Sequence, residues 1–239
     1  MPRRGLLIVS EGADGSGKET QTTLLCEHLE REGHRVTRYN FPTYAEDPVA
    51  ALIRTLLREQ KDEWNTRAWE SRALLYASNR AKFRDEMLNS LSEPGRVIIC
   101  NRYVQSNKAH MAAYVEDPME WERRIAWIGR LEYELIGMPR PDITFLHTMP
   151  RKVSDTLLEK REDGKQDAHE ENSAYLERVE KCYHVIADLN PSTWRHIPAD
   201  QNGEVESPED VHDRVWQSLM QHPAWQELQE QIAGKVRVH

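Results

Sequence analysis

Apolar residues follow two rhythms along this chain. Short, mostly apolar runs at Gly5–Ser10, Arg96–Cys100 and Ile143–Leu146 read as strands, and so do the more mixed stretches His34–Asn40 and Trp194–Ile197. Between them, apolar residues recur at helical spacing. The predicted helices cover 19–29, 47–60, one long segment from about Arg67 to Leu91, Met119–Ile136, Pro150–Arg161, Tyr175–Leu189 and Pro208 to about Met220. Pro48 sits in the first turn of the second of these, where its missing N–H costs nothing. Glu162–Asn172 is polar, and the tail from His222 places Trp225, Leu228 and Ile232 at helical spacing. Strands alternating with helices predict an α/β fold with a parallel sheet covered on both faces. Ligands of such sheets bind beyond the carboxyl ends of the strands. That rule gathers 12–20, 41–44, 101–110 and 161–172 around one site.

The first strand runs straight into Glu11-Gly12-Ala13-Asp14-Gly15-Ser16-Gly17-Lys18, and a helix follows at once. This is the context that a phosphate-binding loop requires. Glycines let backbone N–H groups converge on an anion, the helix N-terminus adds positive potential, and Lys18 supplies a mobile charge. Gly12, Gly17 and Lys18 stand at the spacing of that pattern, but Glu19 occupies the position normally held by Ser or Thr. Thr20 comes one residue late. The alternative reading is an ordinary glycine-rich turn between strand and helix.

Charge and composition narrow the choice of partner. At 239 residues the chain fits one large domain, and a net charge of −8 disfavours a general nucleic-acid-binding surface. A phosphate-bearing ligand must then be met by local basic residues. The 3 cysteines, Cys26, Cys100 and Cys182, lack metal-ligand spacing and read as reduced, buried thiols. No apolar run reaches membrane-spanning length and no signal-peptide core is visible, so a soluble, cytoplasmic protein is expected.

Five stretches together resemble the thymidylate kinase family: the loop from Glu11 to Lys18, Phe41-Pro42-x-Tyr44, Leu75-Tyr76-Ala77-Ser78-Asn79-Arg80, Asn101-Arg102-Tyr103-Val104-Gln105-Ser106-Asn107, and Asp167–Glu170 with Tyr175–Val179. The resemblance runs from about residue 5 to 220. It implies a three-layer P-loop kinase fold with a five-stranded parallel sheet flanked by helices. It divides the chain into a kinase domain over 1–221, with a lid at about 161–172, and a C-terminal helical extension over 222–239. The implied activity is transfer of the ATP γ-phosphate to dTMP, with Mg2+ accompanying ATP, in a cytoplasmic homodimer that binds neither nucleic acid polymers nor membranes.

The same resemblance assigns residues. Gly12, Asp14, Gly15, Ser16, Gly17, Lys18, Glu19 and Thr20 hold ATP. Asp14, Phe41, Pro42, Tyr44, Tyr76, Arg80, Arg102, Ser106, Asn107 and His110 surround the acceptor, with Tyr76 stacking on the base and Arg80 reaching a base carbonyl. Lys18, Asp14, Arg102 and Arg161 form the catalytic set, with Lys165 a further lid cation. Asp14 and Glu19 are the expected metal ligands. An arginine fork suits the acceptor phosphate, and phosphoryl transfer asks mainly for positioning and charge neutralisation. The sequence departs from the family at Glu19, at Asn101 in place of aspartate, at Thr43 where some members have arginine, and at His110 in place of an aromatic beside the sugar. Two other readings stay open: a kinase for another pyrimidine deoxynucleoside monophosphate, and a nucleotide-binding protein with impaired turnover.

Overall fold

The computed structural model describes residues 5–44, 47–60, 64, 67–150, 153–154, 173–201 and 204–236. Its centre is strand β1 (Leu6–Glu11), buried at every position. The remaining strands of the sheet are β2 (Arg35–Asn40), β3 (Arg96–Asn101), β4 (Ile143–Thr148) and β5 (Trp194–Pro198). The order is β2-β3-β1-β4-β5, and every pairing is parallel. This is the predicted five-stranded sheet.

Alternation along the strands sorts the core into two faces. Leu6, Ile8, Val97, Ile99, Ile143 and Phe145 point to one side, where α1 (Lys18–Arg31), α8 (Pro208–Met220) and α9 (Pro223–Val236) pack. Leu7, Val9, Ile98 and Cys100 point to the other side, toward α3 (Trp69–Ala81), α4 (Arg84–Ser92) and α5 (Val104–Ala112). A third cluster joins α5 to α6 (Pro118–Gly129) and α7 (Ser173–Asp188) at the β4–β5 side. Trp225 and Leu228 of the tail are buried in the first cluster, so α9 completes that face. The three cysteines are free and buried. Among the described residues, no helix is long and apolar enough to cross a membrane.

Several elements depart from the sequence reading. The long helix over 67–91 is two helices, α3 and α4, broken at Lys82–Phe83. Phe83 turns inward against Tyr39 and Phe41, with ring centroids 5.6 and 5.7 Å away, and that packing overrides helix continuity. The helix over 119–136 begins at Pro118, capped by Asp117, and its last part, Arg130–Leu135, is a π-helical segment. Trp121, Ile125 and Ile128 of that helix face the core. The segment after β3, left without an element in the sequence reading, is the helix α5. A two-stranded hairpin, β6 (Asp200–Gln201) with β7 (Glu204–Val205), precedes α8. The predicted helix over 150–161 and the lid over 161–172 lie outside the described residues, apart from Pro150, Val153 and Ser154.

Candidate active site

The loop between β1 and α1 wraps a point that only backbone can reach closely. A side chain at Gly12 would place its Cβ 2.3 Å from the His147 carbonyl oxygen, and Gly12 has φ 148°. Gly17, at φ 78°, turns the chain into α1 without any side-chain cap, which leaves the helix's first N–H groups directed at the loop. Lys18 Nζ lies 3.1 Å from the Ala13 carbonyl and 3.4 Å from Asp14 Oδ1. Beneath the loop, the His147 imidazole is held neutral, its pKa lowered to about 3 by burial and then by the Lys18 and His196 charges.

Arg102 approaches this loop from the end of β3. It has the left-handed φ of 64°, and its N–H donates to the Ser10 carbonyl at 2.9 Å. Nη2 is ion-paired with Asp14, while Nη1 lies 3.3 Å from Ser106 Oγ and 3.4 Å from His110 Nε2. Burial alone lowers the pKa of this guanidinium; Asp14, with Tyr183 and Glu11, reverses that into a net rise. The cation is permanent.

Helix α5, which follows, has no capping side chain of its own. Glu11, closing β1, supplies the cap from across the sheet. Its Oε1 accepts from the N–H of Tyr103 (2.8 Å) and of Ser106 (3.1 Å). Its Oε2 accepts from Ser106 Oγ (2.6 Å) and Tyr183 Oη (2.9 Å). A carboxylate at a helix N-terminus also meets the positive end of the helix dipole. One buried side chain thus ties the strand that launches the phosphate loop to the helix that follows Arg102.

The far wall is set by α3. Tyr76 and Arg80, four residues apart, share a helix face as the spacing predicts. Arg80 is buried against the equally buried Glu132, with Nε to Oε2 and Nη2 to Oε1 both at 2.6 Å. Burial lowers the Arg80 pKa on its own, and Glu132 turns the balance to a rise. Glu132 Oε1 also accepts from Asn107 Nδ2 at 2.8 Å. The segment Phe41–Tyr44 is fastened to the same helix. Asn79 Nδ2 donates to Thr43 Oγ1 (2.8 Å) and to Asp47 Oδ2 (2.6 Å), and Thr43 N–H donates to Asn79 Oδ1 (3.2 Å). The Phe41-Pro42 peptide is cis.

These walls enclose one cavity of about 820 Å³. Asp14, Gly15, Gly17, Lys18, Glu19 and Thr20 line it on the loop side; Phe41, Pro42, Tyr44, Tyr76, Arg80, Arg102, Ser106, Asn107 and His110 line it opposite. Two of the sequence-predicted residues are absent from the lining. Gly12 is pressed against β4, and Ser16 is buried beneath the loop. Ser106 lines the cavity but commits its hydroxyl to Glu11, so its first role is to anchor α5. Arg161 and Lys165 lie outside the described residues. The sequence reading missed Arg54 and Arg58 of α2 (Pro48–Arg58), which add two cations to the lining, and it missed Glu11 and Glu132, two fully buried carboxylates.

For a divalent cation the loop side offers oxygen donors only: Asp14, Glu19, Thr20, and Asn101 Oδ1, which is buried without a protein partner. Hard oxygen ligands of this kind fit magnesium, which takes few protein ligands and keeps waters and phosphate oxygens. Among the described residues, no three His, Cys, Asp or Glu side chains converge as a metal cage. Asp14 is engaged by Arg102 and Lys18, and Glu19, with its side chain 73 % exposed, lies 4.0 Å from Arg38. The donor set therefore suits an ion carried in with phosphates.

Comparison with known proteins agrees with this geometry. The thymidylate kinase family profile matches residues 10–214. A protein from Pyrococcus horikoshii named "Probable thymidylate kinase" is 30% identical over 213 residues, covering 89% of this chain and 94% of its own. Human thymidylate kinase is 28% identical over 217 residues, covering 89% of each chain. Among solved structures, thymidylate kinase from Candida albicans superposes with a TM-score of 0.72 at 23% identity, over 92% of this chain and 93% of that one, a likeness of fold. With the phosphate loop, the arginine beyond β3 and the Tyr76–Arg80 wall around one cavity, the chain belongs to the thymidylate kinase family.

Proposed function

We propose that the cavity binds dTMP between Arg102 and the Tyr76–Arg80 wall and receives the ATP γ-phosphoryl group over the 12–20 loop. The reaction, phosphorylation of dTMP to dTDP, is that of the family. The observation that carries the assignment is that Lys18, Arg102, Arg80 and Asn107 line a single cavity. Arg102, preset by Asp14, Ser106 and His110, clamps the acceptor phosphate with its planar fork. Lys18 and the loop's N–H groups hold the donor phosphates, with Arg54 and Arg58 adding positive charge at the cavity wall. Asp14, between Lys18 and Arg102, stands between donor and acceptor.

At the base end, two groups are left over. Among the described residues, Arg80 hydrogen-bonds Glu132 through Nε and Nη2 and leaves Nη1 over, and Asn107 Oδ1 is buried without a partner. A donor beside an acceptor complements a carbonyl beside a ring N–H, which is the edge of thymine. The acceptor phosphate is already ionised near neutral pH, so no general base is required. Mg2+, bound with ATP, neutralises charge on the donor phosphates; Asp14 and Glu19, with Asn101, are the residues that would hold it. Arg161 and Lys165 of the lid add charge to the transferring group in this reading. The kinase domain spans 1–221 with 222–239 as its extension, and the enzyme works in the cytoplasm as a homodimer.

An ATP-dependent ADP-release assay across dTMP, dUMP, dCMP, dGMP and the ribose analogue of dTMP tests the reading. The highest kcat/KM is expected for dTMP. A higher value for the purine would overturn the pocket assignment.

A further inference from the structure

Glu132 lies in the π-helical segment Arg130–Leu135, fully buried and remote in sequence from every residue of the cavity lining. Its two oxygens accept three hydrogen bonds, two from Arg80 and one from Asn107. Asn107 Nδ2 donates also to the Ala73 carbonyl at 3.0 Å. Both partners of Nδ2 are acceptors that cannot donate, so the amide has one permitted orientation, with Oδ1 turned away from Glu132. Arg80 is fixed by the same carboxylate through Nε and Nη2.

We infer that Glu132 is the specificity-determining positioning residue of this site: by holding Asn107 and Arg80 together, it dictates which groups face the base as acceptor and donor. The inference rests on reading the cavity as the acceptor-nucleotide site. Glu132 touches no substrate. Together with the Ala73 carbonyl, it acts by forbidding the alternative in which Asn107 turns its NH2 toward the cavity. That alternative would present donors only, and would suit the N3 acceptor of cytosine in place of the N3–H of thymine or uracil. A carboxylate at 132 enforces the first arrangement because it can only accept. A glutamine offers one acceptor and one donor where Glu132 offers two acceptors, so at least one N–H of Arg80 or Asn107 is left facing an NH2 and the pair is no longer held in a single arrangement.

The test measures kcat/KM for dTMP, dUMP and dCMP with wild-type enzyme, Glu132→Gln and Glu132→Asp, alongside melting temperature and ATP affinity. In Glu132→Gln the dTMP:dCMP ratio is expected to fall at least ~10-fold, the scale of one buried group left facing the wrong partner. The dTMP:dUMP ratio should stay unchanged, because those bases share the edge being read. Glu132→Asp keeps the charge but spans Arg80 and Asn107 less well, so it should fall between the two; it decides the matter if Glu132→Gln does not fold. An unchanged dTMP:dCMP ratio in the folded variants, or proportional loss on all three nucleotides, would reduce Glu132 to a structural role and overturn the inference. The wild-type arm separates this from failure of the pocket reading. A wild type that favours dCMP refutes the pocket assignment, whereas a wild type that favours dTMP with ratio-neutral variants refutes only the role of Glu132.

Discussion

Replacing Arg102 with glycine should cost as much activity as Arg102→Ala while leaving the protein more stable than the alanine variant. The backbone at 102 has φ 64°, a region that costs a residue with Cβ about 1–2 kcal/mol and glycine almost nothing. The side chain is only 17 % exposed and its ion-pair partner Asp14 16 %, but both substitutions remove the same guanidinium and the same ion pair, so that loss cancels between them. The N–H to Ser10 carbonyl bond belongs to the backbone and survives both substitutions. Arg102→Gly should therefore be about 1 kcal/mol more stable than Arg102→Ala, a difference of about 2–4 °C in Tm for a chain of this size. Both variants lose the fork that meets the acceptor phosphate, so kcat/KM for dTMP should fall by at least ~10²-fold. ATP binding without acceptor should hardly change, because Lys18 and the loop N–H groups remain. Differential scanning fluorimetry, an ADP-release assay and calorimetric ATP titration read the three quantities. Equal losses in dTMP and ATP handling, or a glycine variant less stable than the alanine variant, would refute the argument.

Glu19→Ala should raise the magnesium concentration needed for half-maximal rate, and Glu19→Ala with Asn101→Asp should restore part of the loss; a magnesium titration showing no shift would assign Glu19 only to the helix N-terminus, where an acidic residue contributes about 0.3–1 kcal/mol. Glu11→Ala leaves the N–H groups of Tyr103 and Ser106 stranded, a destabilisation of about 2–6 kcal/mol at about 1–3 each. Glu11→Gln keeps an acceptor there and removes a titration. Burial raises the Glu11 pKa above 4.5, outweighing the hydrogen bonds and the Arg102 charge that lower it. The folded state thus holds its proton longer than the unfolded state, and stability falls as pH climbs from about 4.5 through the folded pKa. Denaturant unfolding across that window should show Glu11→Gln gaining on wild type as pH rises; a constant difference would contradict the shift.

What the sequence made legible was local. Glycines, a lysine and the flanking strand and helix lie within one short stretch, so the phosphate loop could be read from spacing alone. Tyr76 and Arg80 share a helix face at any helix phase, and Arg102 follows its strand directly. The two carboxylates that hold these residues were not legible, because their partners are distant. Glu11 reaches 92 residues along the chain to Tyr103, and Glu132 reaches 52 back to Arg80. Glu132 sits among Arg130 and Glu134, and a charged run on a helix reads as a solvated face. Glu11 did carry a signal: an acidic residue ending a strand that is apolar from Leu6 to Val9 needs several donors, since a buried charge without them is costly. The break at Lys82–Phe83 was hidden for a related reason. Helical periodicity continues through it, and only the Tyr39–Phe41 cluster on another element pulls Phe83 inward.

The two carboxylates also explain why α5 can serve both ends of the acceptor. Glu11 fixes the helix at Tyr103 and Ser106, and Glu132 holds it through Asn107. At 1.5 Å per residue the span from 103 to 107 is about 6 Å, so the two anchors stand close together on the turn that carries the recognition groups. Arg102 precedes the first anchor, and Asn107 is itself the second. A rotation or slide of α5 that disturbed either contact would strand a buried charge, which costs far more than a strained surface loop. The phosphate clamp and the base-reading amide are therefore set against one rigid helix, and that helix is set against the strand that launches the phosphate loop. Preorganisation of this kind removes positioning entropy from the chemical step. It also predicts where tolerance lies: substitutions on the exposed face of α2 or on Tyr44, which is 41 % exposed, leave the frame intact and act only through direct contact with the nucleotide.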